Sequence, residues 1–449
     1  MDLEAIRYDL QDAKPRFKRY ALARDYWAGR HRYPFASPRF AEMYRWLLQT
    51  AQMNVCPTIV DAFTDRIDMD NWGIDKDDPL TGQLDRLRSL ADREAWRCGD
   101  AFAVVWPGAD GTPRPWYHRA DQILPHVDEA DPGKLAWAAK LWTQRDGRGR
   151  LTVYGPEAAE RWITDQRMVD PGKSATLDDW ERALDHLVPF TGDGDPAVIG
   201  HTMGDVPVLW WRHDADEQAG FGHSILRDVV PIQDELNYAV AASIIGVERM
   251  AEPIRYALAD EPPKRHLNPA TGQLESPTVD FDPTRENLLT LVATSAGQFP
   301  TPPASDLQAL QSNAARKAGS VVGVPAWYLA EDSDGQAPSG ESLRVELSRM
   351  LSAITAYEVE SSPVNRGLMR LLGRDDAQPV YADPMPQSRA EQLAEAQIKA
   401  QLGYSLSDIA TFLGETDVDG IVQRAQQASA ESARAAGRAL MNGTIGYDS

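Results

Sequence analysis

Cysteine is nearly absent from this sequence, and so are long apolar runs. The 449 residues contain two cysteines, Cys56 and Cys98, which are too few for a disulfide framework or a cysteine zinc site. We expect both to be buried free thiols in a protein made in a reducing cytoplasm. No apolar run reaches about 18 residues, the length of a membrane span. The opening MDLEAIRYDL has no apolar signal core, so we expect no membrane association.

Motifs for catalysis and metal binding are also missing. Gly172-Lys173-Ser174 resembles the end of a phosphate-binding loop, but Arg167 stands where that loop needs a glycine, so we expect a turn. Metal-ligand residue types occur together once, at His213, Asp214, Asp216 and His223. Their spacing fits no zinc or calcium pattern, which favours a solvated loop. We therefore expect no catalytic residue, no cofactor and no metal, and a protein that is not an enzyme.

Basic charge is scarce as well. The chain has 67 acidic and 46 basic residues and a net charge of −21. This balance argues against a protein that grips nucleic acid through a basic patch. It is compatible with a surface that DNA slides past without adhering, although the charge by itself favours a role in solubility alone.

The apolar patterns predict an α+β protein of several packed units, because a single core rarely exceeds roughly 250–300 residues. Residues 1–100 show helical spacing, with helices expected near residue 37, from Pro57, and from about Leu84 to Cys98, where Leu90 is expected to face inward. Short alternating runs then predict antiparallel strands at 101–106, 116–120, 123–127, 135–143 and 150–154. Residues 165–220 are expected to be loop-rich, with one strand at 206–212.

Two helices of similar length are expected to flank a small β insert. They span 228–250 and 305–322, and the proline-rich insert spans 251–303. In the first helix we expect Val229, Leu236, Val240, Ile244 and Val247 to form one apolar face. Residues 329–340 (LAEDSDGQAPSG) are predicted to be a mobile loop. A helix should follow with Ser339 or Ser342 as N-cap, and the tail after Pro386 should be helical.

The order of these elements resembles the portal proteins of long-tailed phages, particularly phages of actinobacteria. Four stretches carry the resemblance: 54–63 (NVCPTIVDAF), 222–226 with 230–237 (GHSIL, VPIQDELN), 323–325 (GVP) and 402–409 (LGYSLSDI). Together they extend over most of the chain. Residues 165–205 have no counterpart in the family pattern.

The resemblance implies a division of the chain into named parts. These are a wing (1–222), stem helix 1 (223–250), a β-rich clip (251–303), stem helix 2 (304–328), a tunnel loop (329–340), a tunnel-side helix with wing return (341–384) and a helical crown (385–449). It implies a ring of about twelve subunits at one vertex of the virion head. The implied partners are double-stranded DNA in the channel, the terminase packaging motor, a head-completion adaptor, and the major capsid and scaffold proteins.

Such a ring would touch DNA without reading its sequence, since it meets only phosphate. The candidates for the channel are Arg316, Lys317, Trp327, Tyr328, Asp332, Ser333, Asp334 and Arg344. Without other context, a pair such as Arg316 and Lys317 is more often a solvated helix face, and Trp327 and Tyr328 are equally explained as core. Two other functions remain open: another head–tail connector or structural virion protein, and an enzyme with an unrecognised site.

Overall fold

The computed structural model describes residues 2–34, 37–38, 42, 44–108, 110–131, 133–192, 194, 196–215, 220–251, 303–329, 340–385, 389–413 and 418–444, with five short strands between 255 and 298. The described helices are α1 (Leu3–Trp27), α2 (Arg45–Thr50), α3 (Cys56–Thr64), α4 (Thr81–Cys98), α5 (Leu177–Ala183), α6 (Val230–Ala251), α7 (Ala304–Val322), α8 (Gly340–Leu371), α9 (Arg389–Gln401), α10 (Leu406–Phe412) and α11 (Val418–Thr444). Strands lie mainly between α4 and α6. The predicted α+β class is confirmed.

The chain forms two compact units, Met1–Pro384 and Met385–Ser449. The second unit consists of α9, α10 and α11, so the tail is helical as predicted. Among the described residues, no helix has the length and apolar character needed to cross a bilayer.

The first unit begins with the four helices α1 to α4, which we call the helical frame. The Asp2 side chain accepts hydrogen bonds from the first backbone amides of α1, which satisfies donors that a helix start leaves open. Helix α4 ends at Gly99, whose φ of 107° favours glycine. Leu84 and Leu87 of α4 are buried, whereas Leu90 is exposed and the inward placement predicted for it was wrong. Cys56 and Cys98 are free and buried, as predicted.

An antiparallel β body follows α4. Its strands are β2 (Asp100–Pro107), β3 (Pro113–Arg119), β4 (Ile123–Val127), β5 (Leu135–Thr143), β6 (Gly149–Tyr154), β7 (Ala158–Thr164), β8 (Leu187–Pro189), β9 (Val198–Gly200) and β10 (Val208–Arg212). One sheet has the order β4-β5-β6-β7-β8, with β9 also paired to β7, and a second has the order β10-β2-β3. Helices α1 and α5 cover one face of the larger sheet through Leu10 and Trp180, together with Leu184 in the 3-10 turn after α5. Its other face packs on the second sheet through Phe102 and Val208.

The expectation for residues 165–220 was partly wrong. This segment contains α5 and the short strands β8 and β9 in addition to the predicted strand. A capping box at Thr176 and Asp179 fixes the start of α5. Because β8 and β9 have only three residues each, the sequence offers too few positions for an alternating pattern.

Helices α6 and α7 are the predicted pair. A short 3-10 turn at Ile225–Arg227 precedes α6, which therefore begins two residues later than predicted. Between them lie β11 (Arg255–Leu258), β12 (His266–Leu267), β13 (Leu274–Glu275), β14 (Leu288–Thr290) and β15 (Ser295–Gln298). The rest of 252–302 and all of 330–339, including most of the predicted tunnel loop, lie outside the described residues.

Helix α8 extends the predicted helix to 32 residues. It begins at Gly340, so Ser342 lies inside it and the prediction of Ser342 as N-cap was wrong; Ser339 lies outside the described residues. The chain then returns to the frame, where β16 (Val380–Tyr381) pairs antiparallel with β1 (Met69–Asn71).

Candidate functional site: the α6–α7 helix pair and its root

The first turns of α6 are fixed to the frame through a buried amide. The Gln233 side chain accepts a hydrogen bond from the Val55 amide at 2.9 Å and donates to the Met53 carbonyl at 2.7 Å. Because Gln233 is fully buried, both bonds replace contacts with water that this group has lost. We call Gln233, Asn237, His31 and Tyr26, with their hydrogen-bond partners Val55, Met53 and Asp234, the root of α6.

The root continues along α6 to the end of α1. Asn237 accepts from Gln233 at 3.0 Å, and its amide nitrogen lies 2.8 Å from Nδ1 of His31. The Tyr26 hydroxyl donates to Asp234 at 2.6 Å. Burial raises the pKa of Asp234, and the bond from Tyr26 opposes that rise. The root thus joins two of the stretches that carry the family resemblance, 54–63 and 230–237.

A backbone contact holds the segment before α6. Gly222 donates to the Asp100 carboxylate at 3.1 Å, and the His213 amide donates to the Gly99 carbonyl at 2.8 Å. A Cβ at Gly222 would lie 1.9 Å from the Gly99 carbonyl oxygen, so only glycine fits. Ser224 also donates to the Arg97 carbonyl.

This contact corrects the expectation of a solvated loop at His213. The His213 ring packs on Trp96 at 4.0 Å, and its Nδ1 bonds the His223 carbonyl at 2.7 Å. Burial lowers the pKa of His213 to about 4. His223 bonds the Asp214 carbonyl, and Asp216 lies outside the described residues. The described part of the chain holds no group of three or more His, Cys, Asp or Glu placed to bind a metal.

The predicted turn at Gly172 is confirmed. Gly172 has a φ of 82°, in the left-handed region that favours glycine. The Lys173 side chain pairs with Asp170 at 2.8 Å.

Helices α6 and α7 lie antiparallel. Ser243 of α6 contacts the Leu307 carbonyl of α7 at 3.4 Å, while Glu235 near the root pairs with Lys317 at 2.8 Å. Gly246 lets Leu307 approach, since a Cβ there would meet its side chain at 2.5 Å. The pair is therefore joined along its length.

The outer surface of this pair carries exposed apolar side chains. Six large ones are exposed among the described residues: Tyr238, Ile244, Val247 and Met250 on α6, and Leu310 and Val321 on α7. Val247 is 56% exposed. Of the predicted apolar face of α6, Val229 and Leu236 are buried, whereas Ile244 and Val247 are exposed.

The end of α7 is fixed to the start of α8. Gly323 closes α7 with a φ of 84°, the left-handed conformation common at helix ends. Arg349 of α8 donates to the carbonyls of Ser320 and Val321 at 3.1 and 3.0 Å, where a cation satisfies unpaired carbonyls. Sequence reasoning missed Arg349, since nothing in its spacing identifies a carbonyl partner on another helix.

Three of the predicted channel residues, Trp327, Tyr328 and Arg344, lie at this junction. Trp327 and Tyr328 stack at 4.2 Å, and the Trp327 indole donates to Glu346 of α8 at 3.0 Å. The Tyr328 hydroxyl accepts from Arg66 at 2.7 Å. Arg344 lies in the first turns of α8.

The other channel candidates lie elsewhere or are not described. Lys317 lies on α7 with its side chain exposed and paired to Glu235. Arg316 is half-buried and, like Arg344, is engaged in contacts within the chain. Asp332, Ser333 and Asp334 lie outside the described residues.

The middle of α8 is anchored to α4 by a buried polar cluster. Tyr357 donates to Asp92 at 2.8 Å, and Asp92 pairs with Arg88 at 2.9 Å. Glu358 is 8% exposed and one of its carboxylate oxygens has no hydrogen-bond partner. Burial, with Asp92 and Asp383 nearby, raises its pKa to about 7, although Arg88 opposes this.

No family model matches the chain, and no curated protein matches it. Many solved chains are similar in structure, including the following three, all at low identity. The neck of a native GTA particle, computed with C12 symmetry, matches at 16% identity and TM-score 0.41, covering 84% of this chain and 94% of that one. The virion of a native gene transfer agent particle matches at 14% and 0.39, with 88% and 98% covered. The neck of an empty GTA particle, computed with C6 symmetry, matches at 16% and 0.40, with 83% and 93% covered.

Proposed function

We propose that this chain is the subunit of a phage portal ring, which forms the channel for DNA packaging and ejection at one vertex of the head. The parts are those implied by the sequence resemblance: wing, two stem helices, clip, tunnel loop, tunnel-side helix and crown. Helices α6 and α7 are the stem. The proposed partners are further copies of the chain, double-stranded DNA, the packaging motor, a head-completion adaptor, and capsid and scaffold proteins.

The apolar outer surface of the α6–α7 pair is the observation that carries this proposal. Tyr238, Ile244, Val247, Met250 and Leu310 are exposed on two helices that are firmly rooted at one end. Several exposed large apolar side chains on one element of a soluble protein favour an interaction surface. A closed ring supplies neighbouring copies to every subunit, and so covers such surfaces without leaving a free edge.

The charge of the chain fits a channel that DNA passes through. A ring of subunits with a net charge of −21 each is strongly acidic, and its repulsion of phosphate prevents tight adhesion. Lys317 is the channel candidate with the clearest route to phosphate, because its pair with Glu235 is solvent-exposed and such pairs are weak. We propose that Arg316, Arg344, Trp327, Tyr328, Asp332, Ser333 and Asp334 also belong to the channel region.

The ring is tested by native mass spectrometry and negative-stain imaging of the purified chain, with scaffold protein added. We expect rings of about twelve or thirteen subunits with a central hole. Val247→Asp should reduce ring formation at least tenfold, since a carboxylate in an apolar interface loses its hydration. Val380→Asp is the control: Val380 is 51% exposed on β16, outside the pair, and its change should leave the rings intact.

A wild-type chain that remains monomeric with scaffold present would contradict the proposal. Equal ring yields from Val247→Asp and wild type would exclude the α6–α7 surface as the interface. An enzyme would instead require a pocket with converging titratable groups. A shorter head–tail connector is the other alternative, and the 449-residue length counts against it.

A further inference from the structure

The hydrogen bonds at the root of α6 have a fixed direction. The Val55 amide can only donate and the Met53 carbonyl can only accept, and both bond the Gln233 side chain. The oxygen of Gln233 must therefore face Val55, and its nitrogen must face Met53. The same nitrogen lies 3.0 Å from Asn237, so the oxygen of Asn237 must point toward Gln233.

The orientation of the Asn237 amide determines which nitrogen of His31 carries the proton. With its oxygen toward Gln233, Asn237 presents its NH₂ group to Nδ1 of His31 at 2.8 Å. On the other side of the ring, Nε2 lies 2.9 Å from the Tyr26 carbonyl, which can only accept. The ring must then carry its proton on Nε2 and keep Nδ1 bare as an acceptor. All the hydrogen bonds in this series, from Val55 to the Tyr26 carbonyl, are made when His31 is neutral.

From this geometry we propose that His31 is a proton-operated latch at the root of α6. A proton on Nδ1 places two donors 2.8 Å apart at the Asn237–His31 contact. Rotating the Asn237 amide does not relieve the conflict, because its NH₂ group would then face the nitrogen of Gln233. Rotating Gln233 instead breaks its bonds to Val55 and Met53. Acidification therefore opens the link between Asn237 of α6 and His31, next to the bonds that Gln233 makes to Val55 and Met53.

The charged and titratable neighbours of His31 have opposing effects on the protonated ring. Among the described residues these are Asp234 on α6, Tyr26 at the end of α1, and Arg32 and Tyr33, which follow His31 in the sequence and interact with the same Asp234 carboxylate. Asp234 attracts a protonated ring and Arg32 repels it. The Tyr26 hydroxyl already occupies Asp234 at 2.6 Å. Attraction to Asp234 would draw the ring away from Asn237, which also opens the link.

Hydrogen exchange followed by mass spectrometry tests the latch in the full chain. Exchange is measured at pH 5.5 and 7.5, in the same oligomeric state, and corrected for the intrinsic effect of pH. In wild type, peptides covering 53–60 and 230–240 should exchange about tenfold faster at pH 5.5, the effect of losing one buried hydrogen bond. Peptides covering 149–164 in β6 and β7 should not change. The outcome does not depend on whether the ring proposal is correct.

Three variants identify the group that titrates. His31→Gln keeps one acceptor and one donor but binds no proton, so the pH effect should disappear and protection should remain. Asn237→Leu removes the link, so exchange should be fast at both pH values. His186→Gln is the control at an exposed histidine and should behave like wild type. A pH effect that persists in His31→Gln and Asn237→Leu, or is missing in wild type, would overturn the proposal.

Discussion

Replacing Glu358 with glutamine should stabilise the chain in neutral and alkaline solution. Glu358 lies on α8 in the cluster with Arg88 and Asp92, and it is 8% exposed. Arg88 is already paired with Asp92 at 2.9 Å, so the cluster buries two carboxyl groups with one guanidinium. An ionised Glu358 therefore has lost its hydration without gaining a close counter-charge.

The size of the effect follows from the proton affinity of this carboxyl. Its pKa is 4.5 in an unfolded chain and about 7 in the folded one. Since a tenfold change in proton affinity corresponds to about 1.4 kcal/mol, the ionised form costs about 3 kcal/mol on folding. The folded pKa is the higher one, so the favourable contribution is complete below pH 4.5 and is lost as the pH rises to about 7.

Chemical unfolding of wild type and Glu358→Gln, followed by tryptophan fluorescence at pH 4.5 and pH 8, measures this difference. We expect the two proteins to agree within about 1 kcal/mol at pH 4.5, because both side chains are then neutral. At pH 8 the variant should be more stable by about 2–3 kcal/mol. Glu157→Gln, at an exposed position, should show no such divergence. If the difference in unfolding free energy between Glu358→Gln and wild type is the same at pH 4.5 and pH 8, the reasoning is refuted.

Two further predictions concern the attachment of α6. Gln233→Leu should lower the free energy of unfolding by about 2–4 kcal/mol in chemical unfolding at pH 7.5, because the Val55 amide and the Met53 carbonyl lose their buried partner; a loss below about 1 kcal/mol would mean that water replaces both bonds. Gly222→Ala should cost at least about 3 kcal/mol, because its Cβ would overlap the Gly99 carbonyl. Gly82→Ala on α4, where a Cβ meets nothing within 4 Å, is its control and should be neutral or slightly stabilising; similar melting temperatures for the two alanine variants would disprove the steric argument.

The strands of the β body were predictable because their patterns are local. Strands β4 and β5 have the predicted bounds, and β6 begins one residue early. Turn residues such as Asp146-Gly147 separate these strands, and one buried face imposes alternation. The helix pair was predictable for the same reason, since its spacing and its flanking prolines lie within each segment.

The interactions that fix these elements were not predictable. Gln233 and Val55 are 178 positions apart, and no spacing rule links an amide on one helix to a backbone group that far away. The exposure of Ile244 and Val247 could not be predicted, because periodicity identifies an apolar face but not its partner. A surface covered by another chain gives the same pattern as a core.

The contact between Gly99 and Gly222 has a topological consequence. The backbone leaves the helical frame at residue 99 and returns to the same point, where the His213 amide lies 2.8 Å from the Gly99 carbonyl. The two sheets therefore belong to one segment, residues 100–212, whose two ends lie close together. Such a segment tolerates insertion and deletion, because residues can be gained or lost inside it without moving either end. The segment 165–205 lies wholly within it, so this stretch can diverge while α6 keeps its place.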